Sequence, residues 1–314
     1  MMVHMKLAGI DIGTNTLRLL IAEFSPDGRY RKIQSGRHIT RLGEDLSHTG
    51  RLKAEAMERA MRVLEGFCDA CDKYHVDGIY AVATSAVREA VNGVDFINMV
   101  KSRVGLEVNV IPGDEEARLT MFGVSSNLGI MYKNVFLMDI GGGSTEFILS
   151  TGGEIAFKTS TDIGVVRFTE QFLHSDPPME EEIKSLGSAI EEHLRTVNPH
   201  FPPFPSLIGT AGTVTTLAAI EQRMIVYDPE KVHGYRIKKG GVEGILNMLM
   251  RMTNKERKDI PGIEEGREDI ILAGVLVVYN VMKWFGFDEM VVSDSGLREG
   301  LVMDLYNRLC LSRK

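Results

Sequence analysis

Two stretches decide the fold: Leu7-Ala8-Gly9-Ile10-Asp11-Ile12-Gly13-Thr14-Asn15-Thr16 and Val135-Phe136-Leu137-Met138-Asp139-Ile140-Gly141-Gly142-Gly143-Ser144. Each is an apolar strand that ends in Asp-Ile-Gly, turns through small or hydroxylated residues, and continues into a second apolar strand. Asp11 and Asp139 lie 128 residues apart, which is the scale of one domain. One Gly-rich turn beside an aspartate is ordinary turn chemistry. Two at domain spacing, both after buried strands, point to a duplicated phosphate-binding hairpin. Glycine lets the backbone approach a ligand closely, and successive turn N–H groups form a concave anion site. Hydroxyls add donors, and the aspartate can hold a divalent cation or a water that bridges to phosphate.

The pattern around these stretches is that of an α/β chain built from two similar halves. In the first, strands at Lys6–Ile12, Leu17–Phe24 and Tyr30–Ile39 surround the turn Ser25-Pro26-Asp27-Gly28. A long amphipathic helix is expected over Lys53–Tyr74, with Met57, Met61, Leu64 and Phe67 at helical spacing. A strand over Gly78–Val87, a helix over Asp95–Val104, a strand over Val108–Ile111 and a helix through Leu128 follow. The second half restarts with strands at Asn134–Ile140, Ser144–Ser150 and Glu154–Thr161. Helices are expected at Val166–Leu173 and Glu180–Val197, and an irregular connector where Pro199, Pro202, Pro203 and Pro205 fall. A strand at Ser206–Gly209 leads to a helix from Val214, then come helices at Val242–Met252 and Glu268–Phe285, a strand at Met290–Ser293 and a last helix at Leu297–Leu309.

Composition narrows the function. The chain has 314 residues, enough for about two domains. Its net charge of −7, from 36 basic and 43 acidic residues, argues against bulk nucleic-acid binding, so no DNA partner is expected. It leaves room for an anion held by a few placed groups. The uncharged run Ile270–Met282 has 13 residues, too few to span a bilayer, and reads as a buried helix, so no membrane partner is expected. The start of the chain carries no signal-peptide pattern and there are three cysteines, so a reducing cytoplasm is the expected compartment. Cys68 and Cys71 sit inside a helical pattern and read as inert thiols. Glu180, Glu181 and Glu182 read as first-turn helix charge, the 17 methionines as core filler, and His233 as a satisfied structural histidine or a ligand-facing one.

Further motifs carry a family resemblance. They are Ala83-Thr84-Ser85-Ala86-Val87-Arg88-Glu89-Ala90 before Asn92-Gly93, and Ile111-Pro112-Gly113-Asp114-Glu115-Glu116-Ala117-Arg118-Leu119. Gly209-Thr210-Ala211-Gly212-Thr213, Val232-His233-Gly234-Tyr235 and Ser293-Asp294-Ser295-Gly296-Leu297-Arg298-Glu299-Gly300 complete the set. With the two Asp-Ile-Gly turns they resemble the exopolyphosphatase/guanosine pentaphosphate phosphohydrolase family of the actin-like ATPase superfamily, and the chain looks like a short, two-domain member. The resemblance implies two actin-like (ribonuclease H-like) α/β domains with a phosphate-binding cleft between them. Domain I would comprise 1–115 plus 297–314 with the first phosphate loop, and domain II 116–296 with the second.

Roles follow residue by residue from the resemblance. Asp11, Gly13, Thr14, Asn15, Thr16 and Arg18 would hold one part of a phosphate chain, and Gly141, Gly142, Gly143, Ser144 and Thr145 another. Arg88 matches an arginine that reaches phosphate, suited to it by its planar fork. Glu116 matches the catalytic glutamate that activates water. Glu146 is the second catalytic carboxylate and shares Mg²⁺ with Asp139, since Mg²⁺ takes one or two carboxylates and keeps much of its water. Gly209, Gly212, Thr213 and Arg267 would line the second domain's end of the site. A monovalent cation such as K⁺ is a further candidate cofactor. The implied activity is Mg²⁺-dependent release of orthophosphate from the end of inorganic polyphosphate. Guanosine pentaphosphate, a nucleotide of the stringent response, is the alternative substrate, and a homodimer is an expected assembly. A nucleotide-binding actin-like assembly protein is the alternative of another class.

Overall fold

A computed structural model describes residues 4–128, 134–203 and 205–311. The chain divides into two units, Met1–Ser126 with Gly296–Lys314, and Asn127–Ser295. The first carries β1 (Met5–Ile12), β2 (Thr16–Phe24), β3 (Tyr30–Ile39), α1 (Leu46–Thr49), α2 (Ala54–Tyr74), β4 (Gly78–Ala83), α3 (Ser85–Glu89), α4 (Gly93–Val104), β5 (Val108–Val110) and most of α5 (Gly113–Leu128). The second carries β6 (Asn134–Ile140), β7 (Thr145–Thr151), β8 (Glu154–Thr161), α6 (Val165–Phe172), α7 (Glu180–Leu194), β9 (Ser206–Thr210) and α8 (Ala211–Glu221). It continues through α9 (Pro229–Val232), β10 (Arg236–Lys238), α10 (Lys239–Leu249), α11 (Asn254–Lys258), α12 (Ile271–Phe285) and β11 (Glu289–Val292). The last helix, α13 (Leu297–Leu311), returns to the first unit.

Both sheets carry the same strand order. The first runs β3-β2-β1-β4-β5, with β1 to β3 antiparallel and β4 and β5 parallel to β1. The second runs β8-β7-β6-β9-β11, with β10 added beyond β11. This is the ribonuclease H-like order of actin-like domains, present twice. Even the irregularities repeat: β2/β3 shift register between Ile21 and Ala22, and β7/β8 between Leu149 and Ser150.

The alternation of strand side chains builds the layers. On one face of the first sheet Ile10, Ile12, Leu17 and Leu19 pack with Ala60, Met61, Leu64 and Phe67 of α2. On the other, Leu7, Leu20, Ala22 and Phe24 pack with Val302 and its neighbours on α13, and Phe24 stacks on Tyr306 at 4.5 Å. In the second unit α12 is apolar on every side and buried, as Ile270–Met282 suggested. Among the described residues no helix is long and apolar enough to cross a membrane. Burial pushes the Cys71 thiol up to about 12, and burial with the Asp72 and Asp69 charges pushes the Cys68 thiol up as well, which disfavours the thiolate at both.

Several expected boundaries move. The strand expected to Val87 stops at Ala83, where the pairing of β4 with β1 ends at Ile12, and Arg88 therefore lies on α3. The helix expected from Val214 begins at Ala211, which has a left-handed φ of 71°. The unit boundary expected at 115/116 falls at 126/127, so Glu116 belongs with the first unit. The reason is a close crossing of α5 and α13. A Cβ on Gly123 would overlap the Gly296 carbonyl, one on Gly300 would overlap the Leu119 carbonyl, and Leu119 packs with Val82, Leu297 and Leu301. Short elements such as α9, β10 and α11 give too few residues for a periodic signal.

The start of α13 is tied down by a buried carboxylate. Glu299 accepts from the Gly296 N–H at 2.9 Å, Arg298 Nε at 3.0 Å and Lys32 Nζ at 3.0 Å. Burial alone would push this carboxyl up, but the Arg298 and Lys32 charges and the Gly296 N–H more than offset it, and the group lies below its ordinary value. A lowered folded pKa stabilises the fold fully above the unfolded value, about 4.3, and that contribution is lost as pH falls through the folded value. Replacing Glu299 by Gln is therefore expected to flatten the fall in Tm below about pH 4.5, read by thermal unfolding across pH. Gly300→Ala and Gly123→Ala are each expected to cost about 1–3 kcal/mol, lowering Tm by several degrees, because the added methyl meets backbone that has no room to yield.

Candidate active site

The two Asp-Ile-Gly turns are the same hairpin. In the first, four residues separate the paired Ile12 and Leu17, and Gly13 N–H donates to Thr16 O at 3.2 Å. In the second, four residues separate Ile140 and Thr145, and Gly141 N–H donates to Ser144 O at 2.9 Å. A Cβ on Gly13 or Gly141 would stand 2.9 Å from that acceptor oxygen, so only glycine closes either turn without strain.

Each loop leans on a backing segment that takes up its carbonyls. Thr40 N–H and Arg41 N–H both donate to Asn15 O at 3.0 Å, and Gly43 N–H donates to Thr14 O at 2.8 Å. In the second unit Val165 N–H donates to Gly141 O at 3.1 Å and Val166 N–H to Gly142 O at 2.9 Å. Gly164 is pressed so tightly against Gly142 and Gly143 that it has no room for a Cβ. Thr145 Oγ1 donates to Ile163 O at 2.6 Å. Thr14, Asn15, Thr16, Ser144 and Thr145 are buried. Both polar atoms of the Asn15 side chain are buried with no hydrogen-bond partner among the described residues. A buried amide in that state is costly unless a ligand or water meets it.

Strand register places the charged groups. Asp11 stands opposite Arg18, and Asp139 stands opposite Glu146, at the matching position of the second hairpin. Glu146 is 1% exposed, and its Oε1 accepts from Ser144 Oγ at 2.9 Å and from Ser160 Oγ at 2.7 Å. Two opposed carboxylates suit a hard cation that keeps most of its water. Among the described residues no three His, Cys, Asp or Glu side chains gather as a metal cage.

In the first unit, Arg88 and Glu116 come together. The Gly113 turn starts α5 with Glu115 and Glu116 N–H donating to Pro112 O at 3.0 Å, and the Glu116 carboxylate lies buried in that first turn, where the helix dipole favours it. Arg88 Nη1 donates to Ile111 O at 2.9 Å and to Glu116 Oε2 at 3.3 Å. A carboxylate so held is placed to act as a base, and the same guanidinium can meet phosphate oxygens.

In the second unit, Arg267 and Gly212 come together. Arg267 is 4% exposed and donates from Nε to Glu264 Oε2 at 3.2 Å. Its guanidinium lies directly where a Cβ of Gly212 would be, so the glycine at the start of α8 is what admits it. The turn is strained at Ala211 and anchored by Thr210 Oγ1, which donates to Ser295 O at 2.9 Å and Ser293 O at 3.1 Å. Gly209 is packed against Met290 and Val214. Thr213 is buried and packed against Gly274 of α12. His233 is satisfied structurally, its Nδ1 accepting from Asp294 N–H at 3.2 Å.

Two features escaped the sequence reading: the backing segment Thr40–Gly43, including Arg41 at φ 50°, and Ser160. The only local signal was Gly43, whose position against Thr14 leaves no space for a side chain.

Known proteins resemble this chain over nearly its whole length. The Ppx/GppA phosphatase family description matches residues 21–309. "Exopolyphosphatase 2" of Mycobacterium tuberculosis is 34% identical over 316 residues, covering 96% of this chain and 98% of that protein. The "Bifunctional 3-dehydroquinate synthase/phosphatase" of Fusobacterium nucleatum is 35% identical over 307 residues. That match takes in 95% of this chain, which spans about half, 46%, of the bifunctional protein. The crystal structure of the Aquifex aeolicus Ppx/GppA family member superposes with a TM-score of 0.82 at 35% identity, covering 98% of this chain and 99% of that one. The chain belongs to the Ppx/GppA phosphatase family.

Proposed function

We propose that this phosphoanhydride hydrolase is an exopolyphosphatase that removes the terminal phosphate of inorganic polyphosphate as orthophosphate. The observation that carries the reading is the buried Glu116 carboxylate fixed by Arg88 at the start of α5. The near-complete match to a relative named Exopolyphosphatase 2 supports the substrate.

The attack of water on a terminal phosphorus is opposed by the negative oxygens around it, so catalysis is mostly positioning and charge neutralisation. Glu116 orients the water and takes its proton as the new P–O bond forms. The phosphoanhydride P–O bond breaks, and its electron pair stays on the shortened chain's terminal oxygen. Arg88 supplies hydrogen bonds to phosphate oxygens while holding Glu116 in place. The two Gly-rich loops, whose Asn15, Thr14, Gly141 and Gly142 carbonyls are taken up by backing segments, are proposed to bind further phosphates through backbone N–H groups. Arg267 is a further phosphate-binding group on the second unit, admitted by Gly212. Asp139 and Glu146 are proposed to hold Mg²⁺, for which two carboxylates are a fitting set. When bound, that ion supplies neutralisation of phosphate charge.

Guanosine pentaphosphate is the second candidate, since its 5′-terminal phosphoanhydride presents the same bond and the family description embraces both enzyme types. Orthophosphate release from the two substrates at matched concentrations distinguishes them. The exopolyphosphatase reading expects the larger kcat/KM on polyphosphate, and a larger value on guanosine pentaphosphate would reverse the assignment.

Glu116→Gln is expected to fold normally and to lose about 10²-fold or more in kcat, the scale of a lost general base. Near-normal turnover in that variant would remove Glu116 from the mechanism. Chelation of divalent ions is expected to abolish phosphate release. Asp139→Asn is expected to raise the Mg²⁺ concentration needed for half-maximal rate by about tenfold or more, as loss of one of two charged ligands requires.

A further inference from the structure

We infer that Ser160 is a positioning residue for Glu146 and determines which of its oxygens meets the cation. This rests on the reading above, in which Glu146 holds Mg²⁺ with Asp139. Asp139, Glu146 and Ser160 form one row across β6, β7 and β8, each directly opposite the next. Oε1 of Glu146 accepts from Ser160 Oγ at 2.7 Å and from Ser144 Oγ at 2.9 Å. A carboxylate oxygen has two lone-pair sites, so these two hydroxyls occupy Oε1 and a cation must be met through Oε2. The same bonds fix the carboxylate's rotation, which is the usual work of groups that hold a metal ligand from behind.

The row exists only because of a bulge. Thr151 stands opposite Glu154, and five residues back along β7 from Thr151 is Glu146. An unbroken ladder would bring Thr159, five residues beyond Glu154, opposite Glu146. The register shift between Leu149 and Ser150 brings Ser160 there instead, and a one-residue slip places the partner side chain on the other face. Ser160 itself is exposed on β8, where a hydroxyl adds little to packing. Its one described side-chain bond is to a carboxylate that is 1% exposed.

The test uses the full chain with Mn²⁺ as the probe ion, titrated calorimetrically, together with kcat and KM on polyphosphate and the Tm. Ser160→Ala is expected to weaken Mn²⁺ binding by about tenfold and to lower kcat by about tenfold, within the range seen for loss of groups behind metal ligands. KM for polyphosphate and Tm should stay at the wild-type values, and Ser160→Thr should restore both Mn²⁺ affinity and kcat. Wild-type Mn²⁺ affinity in Ser160→Ala overturns the inference. So does a fall in Tm that Ser160→Thr fails to restore, since that is the mark of a purely structural hydroxyl. Glu146→Gln separates the two levels. If it binds Mn²⁺ as the wild type does, the cation reading itself fails and the role of Ser160 falls with it. If it loses Mn²⁺ while Ser160→Ala does not, only the Ser160 assignment fails.

Discussion

In each unit the Asp-Ile-Gly loop depends on how a four-residue turn disposes of its own carbonyl groups. A tight turn that presents N–H groups to an anion must turn its C=O groups elsewhere, and buried carbonyls need donors. In the first unit those donors are the N–H groups of Thr40, Arg41 and Gly43, and in the second those of Val165 and Val166. The donors come from different secondary structures, an irregular segment after β3 in one case and the first turn of α6 in the other. The solution is nevertheless the same, and it fixes each loop in one shape before any ligand arrives. Preorganised donors of this kind need not reorient at the moment of reaction. Gly13 and Gly141 are required because a Cβ at either would crowd the oxygen that closes its turn.

The duplication is close in backbone and divergent in charge. Both halves keep the aspartate at the strand end, the four-residue turn and a register shift at the matching point of the next hairpin. At the position facing the aspartate one half has Arg18 and the other Glu146. Exchanging a cation for an anion at one place in a repeated frame gives the two halves opposite charge at the same point of the same hairpin. In a chain of net charge −7, an anion would be held by a few local groups such as Arg18 rather than by bulk positive charge.

Much of this was legible in the sequence because it is written in contiguous residues. The Asp-Ile-Gly turns, Gly113 before Glu116, and the Gly209–Thr213 turn are local signals, and the buried helix α12 announces itself by its uncharged run. What was not legible depends on pairing between distant residues. The contact of Arg267 with Gly212 joins positions 55 residues apart, and the sequence offered Arg267 only by resemblance. Ser160 faces Glu146 through a bulge that no count of alternating residues reveals. Thr213, the third residue of α8, packs against Gly274, a contact between distant positions that the turn's own sequence does not show. The boundary expected after residue 115 lies inside α5, which continues against α13 through small residues that leave no periodic trace.

The return of α13 to the first sheet has a consequence for how the molecule is made. One face of β1 and β2 is covered by a helix that leaves the ribosome only after all of Asn127–Ser295. The second unit is contiguous in sequence and can collapse while synthesis continues, as domains generally do. The first unit must wait, with Leu7, Leu20 and Phe24 lacking their cover until α13 has been made. Its native packing therefore depends on synthesis passing through the whole second unit, although its own strands precede that unit in the chain.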